Sequence, residues 1–314
     1  LIFVTGKSGL IMTILKTITK SGDYGRISLH GKNRNEDIGL FIDIRKDQTV
    51  TIKSVDIDNT FVPLLKRGRG KLFIGDVQVT RFGGDGFNPL GSNICLDKFY
   101  SRENTPTRPY KSLFMFMGES IEQCLERHEI NVFDPLLLKP LELPTKGKFV
   151  IPGYHQDAIH GYFLKRGTYK SASEDTLNNI TIKNIDIVMK GAMAQGIAFT
   201  EACKYSRIFL GTESLKISLD YYYSLIATNL SNSKIGGKKV DVNKPVRIQN
   251  PPIKNCPHRT YNVDLINMQG EHVFDAGVYG EGSINFIGGN STTKDDAFLF
   301  SDKEMLAIKE ILNL

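Results

Sequence analysis

The chain has 314 residues, with 40 Lys+Arg against 34 Asp+Glu, 40% hydrophobic residues, 29 Gly, 12 Pro and no Trp. That balance excludes a disordered, collagenous or coiled-coil chain, and the length allows a core burying about three quarters of the unfolded surface. A net charge of +6 suits acidic glycans, but the Lys and Arg residues do not gather on one helix, so no nucleic-acid partner is expected.

Leu1 to Met12 opens apolar, yet Lys7 and two glycines interrupt it and no cleavage-site pattern follows, so a signal peptide is not expected. A first residue of Leu points to a processed product, a fragment or vector residues, with Met12 as a candidate start. No apolar run reaches the ~18 residues of a membrane span, so no membrane insertion is expected. Short β-branched runs with period-two alternation then dominate, beginning with Thr49–Lys53 and Leu72–Ile74. Between them, Lys66-Arg67-Gly68-Arg69-Gly70-Lys71 is the one dense basic cluster and reads as a solvated turn. Residues 101–150 break the pattern: a Pro/Arg/Thr-rich loop, a helix over Ser112 to Glu129 and a Pro-punctuated stretch read as an inserted loop/helix segment. Strand patterning resumes at Ile180–Ile187, Leu215–Leu219 and Val246–Ile248, while Glu271-His272 and Asp295-Asp296 read as exposed loop pairs. The end, 301–314, carries Ser301 three residues before Glu304, a capping box that predicts a C-terminal helix covering the last strand edge. Cys95, Cys124, Cys203 and Cys256 are widely spaced with no C-x-x-C, which predicts buried thiols and neither a zinc knuckle nor a disulfide scaffold.

The strands also repeat. Gly196-Ile197-Ala198 recurs as Ser224-Leu225-Ile226, 28 residues on, and Ser206-Arg207-Ile208 as Ser233-Lys234-Ile235, 27 residues on. A strand-and-turn repeat of roughly 20 to 30 residues describes one coil of a parallel β-helix, whose inner face is buried only by stacking on its neighbours. The predicted fold is therefore all-β, a parallel β-helix solenoid forming a single domain over 1–314, with Ile, Val, Leu and Phe inward and Asn, Asp and Ser in turns or ladders.

Three polar sites end strands in successive coils: Gly83 to Asn88, Tyr154 to His160, and Ala194 to Ile197. Stacking places equivalent positions about 4.8 Å apart, so Asp85, Asp157 and Gln195 are expected to form a column on one face. Two carboxylates on adjacent coils suit glycoside hydrolysis, one protonating the leaving oxygen and the other attacking or activating water. Each also opposes the other's ionisation, which keeps one protonated as a general acid requires. Asp85 and Asp157, with the flanking His155 and His160, are the candidate catalytic residues. Gln195, Tyr154, Tyr162, Tyr222, Arg81 and Arg207 are candidate substrate-binding residues, since with no Trp the sugar-stacking faces fall to Tyr and Phe. Of Tyr221, Tyr222 and Tyr223, the first and third share one strand face, so at least one of the three packs inward.

Gly84-Asp85-Gly86, Gln156-Asp157 and Gln195-Gly196, in this order on successive coils, resemble the motif series of the right-handed parallel β-helix superfamily. That superfamily includes pectate lyases, polygalacturonases and the tailspike depolymerases of bacteriophages. Polygalacturonases carry N-T-D-G-x-D, Q-D-D, G-H-G and R-I-K. Here Asn88 replaces the first motif's second acid, Ala158 the second Asp of the pair and Gln195 the histidine, and Arg247-Ile248-Gln249 echoes R-I-K at too long a spacing. The resemblance covers residues 40 to 290 and is to the superfamily, not to the polygalacturonase family. It implies a right-handed helix and a glycoside hydrolase that degrades a bacterial surface or extracellular polysaccharide, with no cofactor and no metal. An extracellular or virion-associated place follows, and tailspike relatives are often homotrimers. The alternatives it leaves open are a polysaccharide lyase, with Arg81, Lys165, Arg166 or Arg207 as base, and a non-catalytic glycan-binding or structural β-helix.

Overall fold

The computed structural model describes residues 4–5, 10–11, 13–34, 36–103, 155–161, 179–190, 193–199, 207–219, 223–228, 230–249, 261–274 and 284–295. The chain divides into two compact units, one of Thr13–Thr105 with His155–Ala297 and one of Leu1–Met12, Pro106–Tyr154 and Phe298–Leu314. In the second unit the described strands are β1 (Val4–Thr5) and β2 (Leu10–Ile11), an antiparallel pair. The predicted helical insertion and C-terminal helix lie outside the described residues, as do Cys124, Cys203 and Cys256.

The first unit is an all-β parallel solenoid. Its strands begin with β3 (Thr13–Ile18), β4 (Gly22–Asp23), β5 (Arg26–His30), β6 (Asp37–Asp43), β7 (Thr49–Asp58), β8 (Val62–Arg67) and β9 (Lys71–Thr80). They continue with β10 (Phe87–Pro89), β11 (Ile94–Glu103), β12 (His155–Gly161), β13 (Ile180–Met189), β14 (Met193–Phe199), β15 (Ile208–Leu219) and β16 (Leu225–Thr228). The last are β17 (Ser231–Gly236), β18 (Lys239–Val242), β19 (Val246–Gln249), β20 (Tyr261–Ile266), β21 (Gln269–Phe274), β22 (Ile284–Ile287) and β23 (Asn290–Asp295). Strands alternate between two stacks. One is a 10-stranded sheet in the order β23-β21-β19-β16-β14-β12-β10-β8-β6-β3, the other an 11-stranded sheet running from β22 through β15 and β13 to β4.

The long strands of the second sheet show why the sequence winds. In β7 the buried residues are Val50, Ile52, Val55 and Ile57, in β9 Leu72, Ile74, Val77 and Val79, and in β13 Ile180, Ile182, Ile185 and Ile187. Alternation holds for two residues, slips by one, then resumes. At each slip stands at least one polar residue, in Lys53-Ser54, Gly75-Asp76 and Lys183-Asn184. Strict period two keeps a strand flat against one wall, so the slip marks where the chain bends around the core. Ile182, Ile197, Ile208, Ile217 and Ile235 all join one continuous buried cluster, each contributing about 1.5–3 kcal/mol of transfer free energy.

Asparagine makes the corners. Asn59, Asn93, Asn179, Asn232, Asn262 and Asn267 all have φ between 47 and 60°, the left-handed region that Asn tolerates better than other L-residues. Their amides tie rung to rung: Asn179 Nδ2 donates to Asn93 Oδ1 at 3.2 Å, and Asn262 Nδ2 to Asn232 Oδ1 at 2.7 Å.

Four expectations are corrected. The repeat at 196–198 pairs as predicted, Ile197 with Leu225 and Ala198 with Ile226, but Phe209 pairs with Lys234 and Leu210 with Ile235. The second repeat is thus displaced by two residues, a shift that side-chain parity conceals because it leaves Ile208 and Ile235 both inward. Lys66 is not solvated: it is fully buried and donates to the carbonyl oxygens of Gly68 and Ser92, each at 2.5 Å. Glu271-His272 is not a loop pair but part of β21, with His272 buried and its Nδ1 accepting from the Val246 N–H at 3.2 Å. Cys95 is half-buried on the outer side of β11, where burial pushes its thiol upward.

Candidate functional site

The predicted column forms, though not at strand ends as expected: Asp157 and Gln195 lie within β12 and β14, and Asp85 just precedes β10. Asp157 pairs in register with Gln195, and the Gly86 N–H donates to the Asp157 carbonyl at 2.9 Å, which holds Asp85 level with the next rung. Gly86 is required there: a Cβ would stand 2.7 Å from the Ala158 carbonyl oxygen. Phe87 and Ile159, facing partners in the core, fix the rung from below.

On this frame two carboxylates and one imidazole converge. His160 Nδ1 lies 3.2 Å from Asp85 Oδ2 and 3.2 Å from Asp157 Oδ2. The side chains of Asp85 and His160 are 18% and 20% exposed while that of Asp157 is wholly buried, so the cluster has an outer and an inner carboxyl. Asn88, one of the three departures from the polygalacturonase pattern, clamps the outer one: its Nδ2 donates to Asp85 Oδ2 at 2.8 Å and to the His160 carbonyl at 3.1 Å. Burial drives the Asp157 carboxyl well above the usual carboxylate range. His160 and the Gln195 backbone N–H pull it down, and Asp85 pushes it further up. Burial thus favours the protonated form of the Asp157 carboxyl.

Behind the cluster runs a brace. The Phe82 carbonyl accepts from Gln156 Nε2 at 2.7 Å and from the Arg34 guanidinium at 2.9 Å, and Arg34 also faces the fully buried Glu103 carboxylate at 3.4 Å. Residues from four segments thereby converge behind Asp157.

The other candidates fall as follows. Gln195 joins the column and is buried, its Oε1 making no hydrogen bond among the described residues. The backbone of His155 opens β12, its side chain being outside the described set, as are Tyr154, Tyr162 and Tyr222. Arg81 goes elsewhere: its guanidinium grips Asp58 through both Nε, at 2.7 Å, and Nη2, and holds that carboxyl below its usual range. Arg207 is exposed at the start of β15 in the second sheet, its carbonyl accepting from the Ile180 N–H.

Tyr223 and Arg247, which the sequence marks only as one of three adjacent tyrosines and as an echo of R-I-K, are absent from the candidate set yet lie on this column. The Gly196 N–H donates to the Tyr223 carbonyl at 3.2 Å, so Tyr223 continues the column past Gln195. Arg247, almost wholly buried, donates to its hydroxyl at 3.3 Å with the guanidinium carbon 5.4 Å from the ring centre. The 28-residue offset linking Gly196 to Ser224 also links Gln195 to Tyr223, so the signal was present in the repeat.

A separate groove of about 530 Å³ opens beside the second sheet, lined among others by Ser214, Lys216, Lys238, Lys239, Asp241 and Asn267. Its charges are matched locally, Lys238 lying 2.7 Å from Glu213 and Lys216 between Asp186 and Asp241 in register. It shares no residue with the carboxylate cluster. No protein family, curated protein or solved structure matches the chain.

Proposed function

We propose that this solenoid binds a polysaccharide across the face bearing Asp85, His160 and Tyr223 and cleaves it by hydrolysis, in the manner of the right-handed β-helix depolymerases that its motifs resemble. One observation carries the reading: two carboxyls on adjacent rungs flank a single imidazole nitrogen, one wholly buried and driven toward its protonated form, the other partly exposed. Hydrolysis of a glycosidic bond needs that asymmetry, because an acid must protonate the leaving oxygen while a carboxylate attacks or activates water.

Exposure divides the roles. Asp85, held by Asn88 and reachable from solvent, is the carboxylate that meets the sugar or the water. Asp157 has no surface of its own, so its proton leaves through His160. In the tautomer bearing Nε2–H, the imidazole gives that proton to the leaving oxygen and takes the Asp157 proton at Nδ1. The N–H so formed lies between two carboxyl oxygens. Tyr223, fixed by Arg247, offers an aromatic face one rung beyond Gln195.

The test is a panel of capsular, cell-wall and plant polysaccharides assayed for new reducing ends, with ultraviolet absorbance of unsaturated products reporting a lyase instead. Asp85→Asn and Asp157→Asn are expected to lower turnover by about 10²-fold or more at unchanged melting temperature. No reducing ends from any substrate, or variants of full specific activity, refute the hydrolase; an unsaturated product replaces it with the lyase.

A further inference from the structure

We propose that Asp85, Asp157, His160 and Gln195 form a binding site for one small divalent transition ion, Zn²⁺ or Mn²⁺. One oxygen of each Asp and a ring nitrogen of His160 all lie within 4.8 Å of one another. The two nitrogen–oxygen separations, both 3.2 Å, fall between the donor–donor spacings of about 3.0 Å and 3.4 Å that octahedral and tetrahedral sites require with bonds near 2.1 Å. His160 Nδ1 thus already stands at a coordination-like separation from each carboxyl.

Gln195 points independently to a ligand. It is 3% exposed, and its Oε1 makes no hydrogen bond among the described residues, an arrangement that is unfavourable unless something occupies the acceptor. As the register partner of Asp157 in a parallel sheet, it projects from the same face as Asp157, one strand spacing away. Its backbone N–H already donates to the Asp157 carboxyl. The amide oxygen thus completes a set of one imidazole nitrogen, two carboxylates and one carbonyl. Imidazole in a mixed N/O set favours Zn²⁺ or Mn²⁺, whereas Mg²⁺ and Ca²⁺ favour oxygen alone.

Binding requires His160 to ligate through Nδ1, so its proton stays on Nε2, and both carboxyls to be ionised. The ion and the protons of the hydrolytic cycle consequently occupy the same donors in turn. The inference stands apart from glycan cleavage, because it is read without substrate.

Chelator-treated full-length protein is dialysed against Zn²⁺ or Mn²⁺ alone and its bound metal counted. One ion per chain is expected, with affinity reduced at least about tenfold in His160→Gln and in Gln195→Met, both with wild-type circular dichroism. No binding by the wild-type chain, or equal binding by His160→Gln, overturns the proposal. Should either variant misfold, paramagnetic broadening by Mn²⁺ in the wild-type chain decides: the His160 ring resonances broaden first if the site is correct, and broadening confined to other histidines refutes it.

Discussion

Lys66→Met removes an ammonium that has no exposed surface and leaves a side chain of similar length in its place. Burial pushes Lys66 from 10.5 down to about 7, with the Asp43 carboxylate working in the opposite direction. Between those two values the unfolded chain binds a proton that the folded chain has released, so stability contributed by this residue rises with pH across the window. With one pKa unit equal to about 1.4 kcal/mol, deprotonating Lys66 on folding costs about 4 kcal/mol at pH 7 and about 1 kcal/mol at pH 10. The methionine variant escapes this cost but leaves the carbonyls of Gly68 and Ser92 without their donor, about 1–3 kcal/mol each at any pH. At pH 7 the two effects nearly offset one another. By pH 10 the wild-type chain leads, and the difference between the two proteins shifts by about 3 kcal/mol over the interval. Urea unfolding followed by circular dichroism at pH 7 and pH 10 reads that shift directly. Parallel pH profiles for the two proteins would show that Lys66 does not titrate in this range.

Two further outcomes follow from the site's supports. Gly86→Ala places a methyl 2.7 Å from the Ala158 carbonyl oxygen, a rigid neighbour, and forces the rungs of Asp85 and Asp157 apart; stability falls by about 1–3 kcal/mol, and a melting temperature equal to wild type contradicts the packing described. Arg34→Met strips the cation facing the buried Glu103, which costs about 3–5 kcal/mol. Adding Glu103→Gln recovers much of that loss in a double-mutant cycle, and strictly additive costs would show that the two residues do not interact.

The solenoid was legible because its code is local. Ile180, Ile182, Ile185 and Ile187 show both the alternation and its slip, and Asn at the corners supplies the left-handed residues the bends need. Asp85, Asp157 and His160 were legible for a related reason: stacking turns a repeat in sequence into a column in space. What escaped depended on other rungs. Nothing in the local sequence around Lys66 shows that Ser92, 26 residues on, brings a carbonyl to its ammonium. His272 resembles any charged-loop histidine until its pairing level with Val246 is known. Tyr223 was overlooked for Tyr222 because choosing among three adjacent tyrosines requires the register to one residue, and the second repeat shows how easily a two-residue displacement passes unnoticed.

The join between β10 and β12 has a bearing on how the chain reaches its native state. Most rungs contact their neighbours across about two dozen residues, as Asn93 does with Arg69, 24 apart, whereas Asn88 and His160 are 72 apart. Threefold greater separation adds about 1 kcal/mol of loop-closure entropy, and contacts of such range slow the search for them. The chain therefore has two stretches able to zip up rung by rung from local nuclei, with a kinetic seam between them. Asp85 lies on one side of that seam and Asp157 and His160 on the other, so the carboxylate cluster cannot form until the long closure is made.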